Sequence, residues 1–148
     1  YRRLRQPELE RLSYGYLNFY RANSNSEIPL SVECALRVVR KNIEEGNIVG
    51  ILRKDGEVVG GVIAKAHRND ISDEIVLQHT FYYSMLKGMA SVQAIRMAFD
   101  FLIESARCKK IKYVVAMAGT WDTEFKLCKI LSLFGWSTEG YSAVYKIE

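Results

Sequence analysis

The sequence has few cysteines and no C-x-x-C pair. Cys34, Cys108 and Cys128 are an odd number at wide spacing in 148 residues, so neither a disulfide framework nor a zinc site is supplied with ligands. No metal is expected, and a reducing cytoplasm is the setting that this cysteine usage implies. No apolar run reaches membrane-spanning length, and the stretch beginning at Tyr1 lacks a secretory-signal pattern, so no membrane partner is expected. Repeats, low-complexity tracts and linkers are missing as well. That leaves a single domain over 1–148, long enough to bury roughly two thirds of its unfolded surface. Strong charge is also lacking: 21 Lys+Arg against 17 Asp+Glu leave a net +4, with basic clusters only at Arg2-Arg3-Leu4-Arg5 and Arg107-Cys108-Lys109-Lys110. Such an excess suits an anionic small ligand and does not require nucleic acid.

What is present reads as alternating helix and strand. Residues 1–5 alternate weakly and predict a short first strand. Pro7 suits the first turn of a helix whose apolar stripe is Leu9, Leu12, Tyr16 and Phe19, with Glu8 and Glu10 beside its positive end. The polar stretch 22–29 predicts a mobile loop of the kind that closes over a substrate. A second helix starts near Leu30 or Ser31, carries Val32, Leu36, Val39 and Ile43 on one face, and ends at Gly46-Asn47. Strand-like runs 48–53 and 57–67 flank Lys54-Asp55-Gly56, a hairpin signal. A polar turn over 68–73 leads into a strand over 74–83. Beyond residue 110, 112–117 reads as a buried strand. Asp122 or Thr123 caps a last helix with the stripe Phe125, Cys128, Leu131 and Phe134, Gly135 closes it, and 141–147 forms a final strand.

The chain is organised around residues 80–110. An aromatic, β-branched strand enters the turn Lys87-Gly88-Met89-Ala90, and a helix follows with Ser91 as its expected N-cap. Val92, Ile95, Phe99, Leu102 and Ala106 recur at steps of three and four, while Gln93, Arg96, Asp100, Glu104 and Arg107 fall on the opposite side. Unpaired N–H groups and the aligned peptide dipoles at such a helix start favour an anion. One glycine before a helix is equally an ordinary turn, and the residues alone leave both readings open. If the turn grips pyrophosphate, replacing Gly88 should cost affinity and leave stability nearly unchanged.

The order strand, helix, helix, three antiparallel strands, helix, strand, helix, strand resembles the GNAT superfamily of acyl-CoA-dependent N-acyltransferases over nearly the whole length. The family's phosphate-loop pattern, Gln/Arg-x-x-Gly-x-Gly/Ala, corresponds to Met85-Leu86-Lys87-Gly88-Met89-Ala90. Both small positions are kept and Met85 replaces the polar leader. A second landmark, Tyr-x-x-x-Gly-Phe, corresponds to Leu131-Ser132-Leu133-Phe134-Gly135-Trp136, which keeps the Gly-aromatic pair and loses the tyrosine. The resemblance implies a three-layer α/β fold with a mixed, mostly antiparallel sheet. It also implies acetyl-CoA or another acyl-CoA as cofactor, with its pantetheine arm between two splayed strands. Cofactor contacts are then expected at Tyr83, Met85, Leu86, Lys87, Gly88, Met89, Ala90 and Ser91.

Transfer to an amine with pKa about 10.4 needs its deprotonation, about 4.6 kcal/mol at pH 7, so a base or water must help. Alternation along 74–83 predicts Gln78, Thr80, Tyr82 and Ser84 on one face and Leu77, His79, Phe81 and Tyr83 on the other. His79 has two readings, a base or a buried core histidine; His67, beside Arg68, reads as exposed. Tyr82 and Ser84 lie nearest the implied thioester. Tyr82 reads either as the acid in place of the family tyrosine or as sheet packing, with Tyr141 and Tyr145 as alternative acids. Trp121 and Trp136 read as acceptor-pocket walls or core covers, and Asp122 as a cap or a substrate contact. Three functions follow from this. The first is an N-acyltransferase moving a short acyl group to an amine of a small molecule or protein. The second is a decayed GNAT-fold binding or assembly protein, for instance viral. The third is an enzyme modifying a nucleic-acid base amine. Homo-oligomerisation is left open.

Overall fold

The computed structural model describes residues 4–23, 29–117, 126–139 and 142–148. The described elements run α1 (Gln6–Asn23), α2 (Val32–Glu44), β1 (Ile48–Lys54), β2 (Glu57–Arg68), β3 (Ile75–Ser84), α3 (Met89–Cys108), β4 (Tyr113–Met117), α4 (Lys126–Ser132), β5 (Ser137–Glu139) and β6 (Ser142–Lys146). Six strands form one sheet in the order β1-β2-β3-β4-β6-β5. Every neighbouring pair is antiparallel except β3 and β4, which run parallel because α3 returns the chain between them. The α/β architecture with a mostly antiparallel sheet is therefore as expected. Among the described residues no helix is long and apolar enough to cross a membrane.

Local sequence explains most boundaries. Ser31 caps α2 by accepting the Cys34 N–H at 3.1 Å. Asp55 and Gly56 both adopt left-handed φ, 53° and 80°, the two-residue turn whose twist matches the flanking strands. Gly135, at φ 91°, ends the turn after α4. Two expectations are corrected and one strand is added. Leu4 and Arg5 lie outside any strand, and residues 1–3 of the expected first strand fall outside the described residues. Ser91 is not the N-cap of α3: Gly88 occupies that position, without a side-chain cap, and Ser91 lies within the first turn. The expected final strand is found as β6, whereas β5 is a further strand ahead of it that was not expected, because its three residues are polar and exposed and carry no apolar period to mark them. The caps proposed at Asp122 or Thr123, together with Trp121, Phe125 and Tyr141, and residues 24–28 of the expected loop, lie outside the described residues.

Two apolar clusters sit on opposite faces of the sheet. On one, α3 and α4 pack Ile95, Phe99, Leu102, Cys128 and Leu131, joined by Trp136 from the turn after α4, against Val62, Leu77 and Val114. On the other, α1 and α2 set Leu12 and Val39 against Ile63, Phe81 and Tyr83. Fully burying one such large side chain contributes on the order of 1.5–3 kcal/mol. Glu8, 4% exposed, ties α1 to β1 through Arg53 and accepts the Arg5 Nε–H at 3.0 Å.

Candidate functional site

The site begins at an irregularity in β3. Ile63 of β2 lies opposite Phe81 and Ala64 opposite His79, so Thr80 is an extra residue, a β-bulge closed by its Oγ1–H donating to the Ile63 carbonyl at 3.3 Å. The bulge changes the strand's parity and corrects the expected faces. Leu77, His79 and Tyr82 turn towards α3, where the His79 and Tyr82 rings lie 5.3 and 5.9 Å from Phe99. Phe81 and Tyr83 turn towards α1, with Phe81 4.5 Å from Tyr16 and 5.2 Å from Phe19.

Near the same point the parallel pair comes apart. Pairing of β3 with β4 covers only Val76 to Gln78 against Tyr113 to Val115. Beyond it, the Met117 N–H is accepted by a side chain, His79 Nδ1, at 3.2 Å. Met85 donates its N–H to Val59 on β2 at 2.8 Å. Alternation then points the backbone groups of Tyr82 and Ser84 to the opposite edge, into the fork that β4 leaves. On the α1 face of this fork, Gln78 Nε2 donates to Met117 Sδ at 3.1 Å, and Gln78 Oε1 lies 2.7 Å from His67 Nε2. His67 is exposed, as expected.

The chain leaves β3 through a tight turn in which Ser84 Oγ accepts the Leu86 N–H at 3.1 Å. Met85 and Met89 are largely exposed, and Leu86 packs on the α3 cluster. Gly88 adopts φ 63° and ψ −140°, a conformation close to glycine-only territory, yet a Cβ there meets nothing within 4 Å. Among the described residues no acceptor takes the N–H of Lys87, Gly88, Met89 or Ala90, while the Ser91 N–H returns to the Gly88 carbonyl at 3.1 Å. These four donors stand at the start of a 20-residue helix without an acidic residue in its first turn, an arrangement that favours an anion.

Protonation follows burial. Desolvation pushes the His79 pKa down to about 4, so the ring is neutral at pH 7. Since Nδ1 accepts a hydrogen bond, the proton sits on Nε2 and the lone pair is committed to Met117. Burial also pushes the Tyr82 phenol up to about 12. The Ser84 hydroxyl opposes that shift without reaching hydrogen-bond geometry, and Tyr82 Oη is buried without a partner among the described residues. Tyr83, likewise pushed to about 12 by burial, occupies a slot that sequence reasoning missed. A Cβ at Gly15 in α1 would meet Tyr83 Cζ at 2.0 Å, and one at Gly61 in β2 would meet Leu12 Cδ1 at 2.3 Å. The readable signal was a glycine inside an amphipathic helix.

Trp136 and Tyr145 pack 5.5 Å apart on the α3 side, so Trp136 covers the core, and Leu131 is fully buried. The structure thus brings Tyr82, Ser84, His79 and residues 85–91 to the fork and its mouth. It turns the Tyr83 ring away, leaving that residue only its main chain near the site.

No family model matches the sequence, and no curated protein matches it significantly. Solved structures do match in shape. The chain superposes on the ribosomal-protein-alanine N-acetyltransferase of Brucella melitensis with a TM-score of 0.72 and 16% identity, covering 99% of this chain and 98% of that one. The Salmonella typhimurium protein yncA, solved with its cofactor acetyl-CoA, gives 0.74 at 13% identity, covering 99% and 92%. A GNAT phosphinothricin acetyltransferase from Sinorhizobium meliloti, in complex with AcCoA, gives 0.68 at 18%, covering 99% and 86%. The fold is that of the GNAT acetyltransferases.

Proposed function

We propose that the chain is an N-acyltransferase that moves an acetyl or other short acyl group from acyl-CoA to an amine. The observation that carries this reading is the fork between β3 and β4, with one strand edge open and four unaccepted backbone N–H groups at its mouth. The acyl-CoA supplies an activated thioester. The chain would hold the pyrophosphate with the N–H groups of residues 87–90, aided by Lys87, and the pantetheine amides along the free edge of Tyr82 and Ser84. The acceptor nitrogen bonds to the thioester carbon, the C–S bond breaks, and the amine's proton passes to water. His79 is not assigned as base, because its only lone pair is engaged.

Tyr82 fits a donor role. A phenol held near 12 stays protonated at pH 7, and its Oη lacks a partner. It is a weaker acid than a thiol of pKa about 8.5, so full proton transfer to the leaving sulfur would be uphill by roughly 5 kcal/mol. A hydrogen bond to the developing negative charge is the role that this ordering supports, with the thiol's final proton taken from solvent.

Leu131 favours a second reading, a binding or assembly protein on the same fold, since a buried leucine stands where the family tyrosine is expected. Titration calorimetry with acetyl-CoA followed by an amine-acceptor screen separates the two. Binding with thiol release supports the enzyme, binding without turnover the second reading, and no binding at millimolar acetyl-CoA excludes acyl transfer.

A further inference from the structure

We infer that His79 is the positioning residue that holds the fork open, its imidazole standing in for the main-chain pairing that β3 and β4 give up beyond Gln78 and Val115. The inference rests on the acyl-CoA reading for its effect on affinity, and on geometry alone for the latch itself. In a regular parallel ladder the next inward-pointing β4 amide would bond to β3 backbone and the gap would close. Here that amide, Met117 N–H, meets His79 Nδ1 at 3.2 Å. A side-chain acceptor satisfies the donor while keeping the strands a ring's width apart, and it spares the main-chain edge of Tyr82 and Ser84 for a ligand.

Two further contacts fix the ring. The Thr80 bulge turns His79 to the α3 side, and Phe99, 1% exposed, meets it edge-on with centroids 5.3 Å apart. On the opposite face of the sheet, Gln78 reaches Met117 Sδ at 3.1 Å, so both the amide and the side chain of Met117 are held from β3. Met117, the second β4 residue beyond the pairing, is thus pinned at a set distance. His79 does not touch the reacting atoms in this scheme; it acts through strand spacing.

The test uses the full chain, isotope-labelled, in three forms. In the wild type, long-range nitrogen–proton correlation spectra should show the Nε2–H tautomer with an accepting Nδ1. His79→Leu keeps bulk without an acceptor, and Met117 amide exchange should accelerate at least about tenfold while acetyl-CoA binding weakens about tenfold. His79→Asn places an amide oxygen at the δ position, and should restore exchange and affinity to within about threefold of wild type. An Nδ1–H tautomer in the wild type, or unchanged Met117 exchange in His79→Leu, overturns the inference. Should His79→Leu not fold, the wild-type tautomer and the Asn form decide. Failure of wild-type protein to bind acetyl-CoA overturns the proposed function and the affinity effect with it, while the exchange measurement still decides the latch.

Discussion

Tyr82 and Gly15 show how a single atom's surroundings set the sign of a substitution. A buried hydroxyl without a partner is a cost in the free protein, so Tyr82→Phe should leave stability unchanged or raise it by up to about 1 kcal/mol. The same change should lower kcat about tenfold or more if the phenol meets negative charge during transfer. Thermal unfolding and steady-state kinetics on one preparation read both effects, and a stability loss above about 1 kcal/mol would mean that the hydroxyl is satisfied after all. Gly15→Ala runs the other way. Alanine in a helix interior normally gains up to about 1 kcal/mol over glycine. Here its Cβ would stand 2.0 Å from the Tyr83 ring, so urea denaturation should show a net loss of at least about 2 kcal/mol.

The turn into α3 separates backbone cost from ligand contact. Gly88→Val places a β-branched residue at φ 63° and ψ −140°, which costs of order 1–3 kcal/mol even though its Cβ has open space. This corrects the expectation that stability would be nearly unchanged, and calorimetry should show a clearly lower Tm. Ala90→Glu leaves the backbone alone and sets a carboxylate beside the free N–H groups. It should keep Tm within about 2 °C of wild type and weaken acetyl-CoA binding at least about tenfold. Equal affinity in wild type and Ala90→Glu would remove residues 87–91 from the site.

The same elements show what could be read from residues in order. The hairpin at Asp55-Gly56 and the stripe Ile95, Phe99, Leu102 and Ala106 were legible because their signals are local and periodic. The faces of β3 were not. Alternation assumes an unbroken ladder, and nothing in the local sequence marks Thr80 as extra, since the bulge is set by register against β2. Neither was the slot around Tyr83, which joins residues 68 positions apart in the chain (83 − 15). The order of elements and the location of the turn came through; the direction in which each ring points depended on partners distant in sequence.

On the scale of the molecule, the two apolar clusters share β3, so loss of either face removes support from the other and unfolding should be two-state. Its pH dependence carries the mark of His79. In the folded chain this histidine titrates near 4, and unfolded near 6.5, so between those values the unfolded state takes up a proton that the folded state refuses. Its contribution is complete above about pH 6.5, declines as pH falls towards 4, and is level below, a total on the order of 3 kcal/mol. Urea denaturation from pH 7 to 4 should show the decline, and His79→Asn should remove that part of it. An identical slope in both proteins would mean that His79 is not held neutral.

The bulge at Thr80 also makes the two sides of the fork mechanically unlike. Phe81 and Tyr83 root β3 in the α1 cluster, with the Tyr83 ring boxed in by Gly15, while Tyr82 between them is anchored from the opposite face. Just past the fork, then, β3 is gripped from above and below like work in a vice. The other side is held differently: among the described residues β4 reaches to Met117, where one imidazole and one amide side chain hold it from β3, while Val114 and Ala116 pack in the α3 cluster and β6 pairs along its far edge. A guest entering the fork meets one jaw gripped from both faces of the sheet and one held at its tip by two side-chain contacts. Adjustment to acyl groups of different bulk should therefore be read in β4 and β6 amide shifts, with those of Phe81 to Ser84 changing only where the guest lies directly against them.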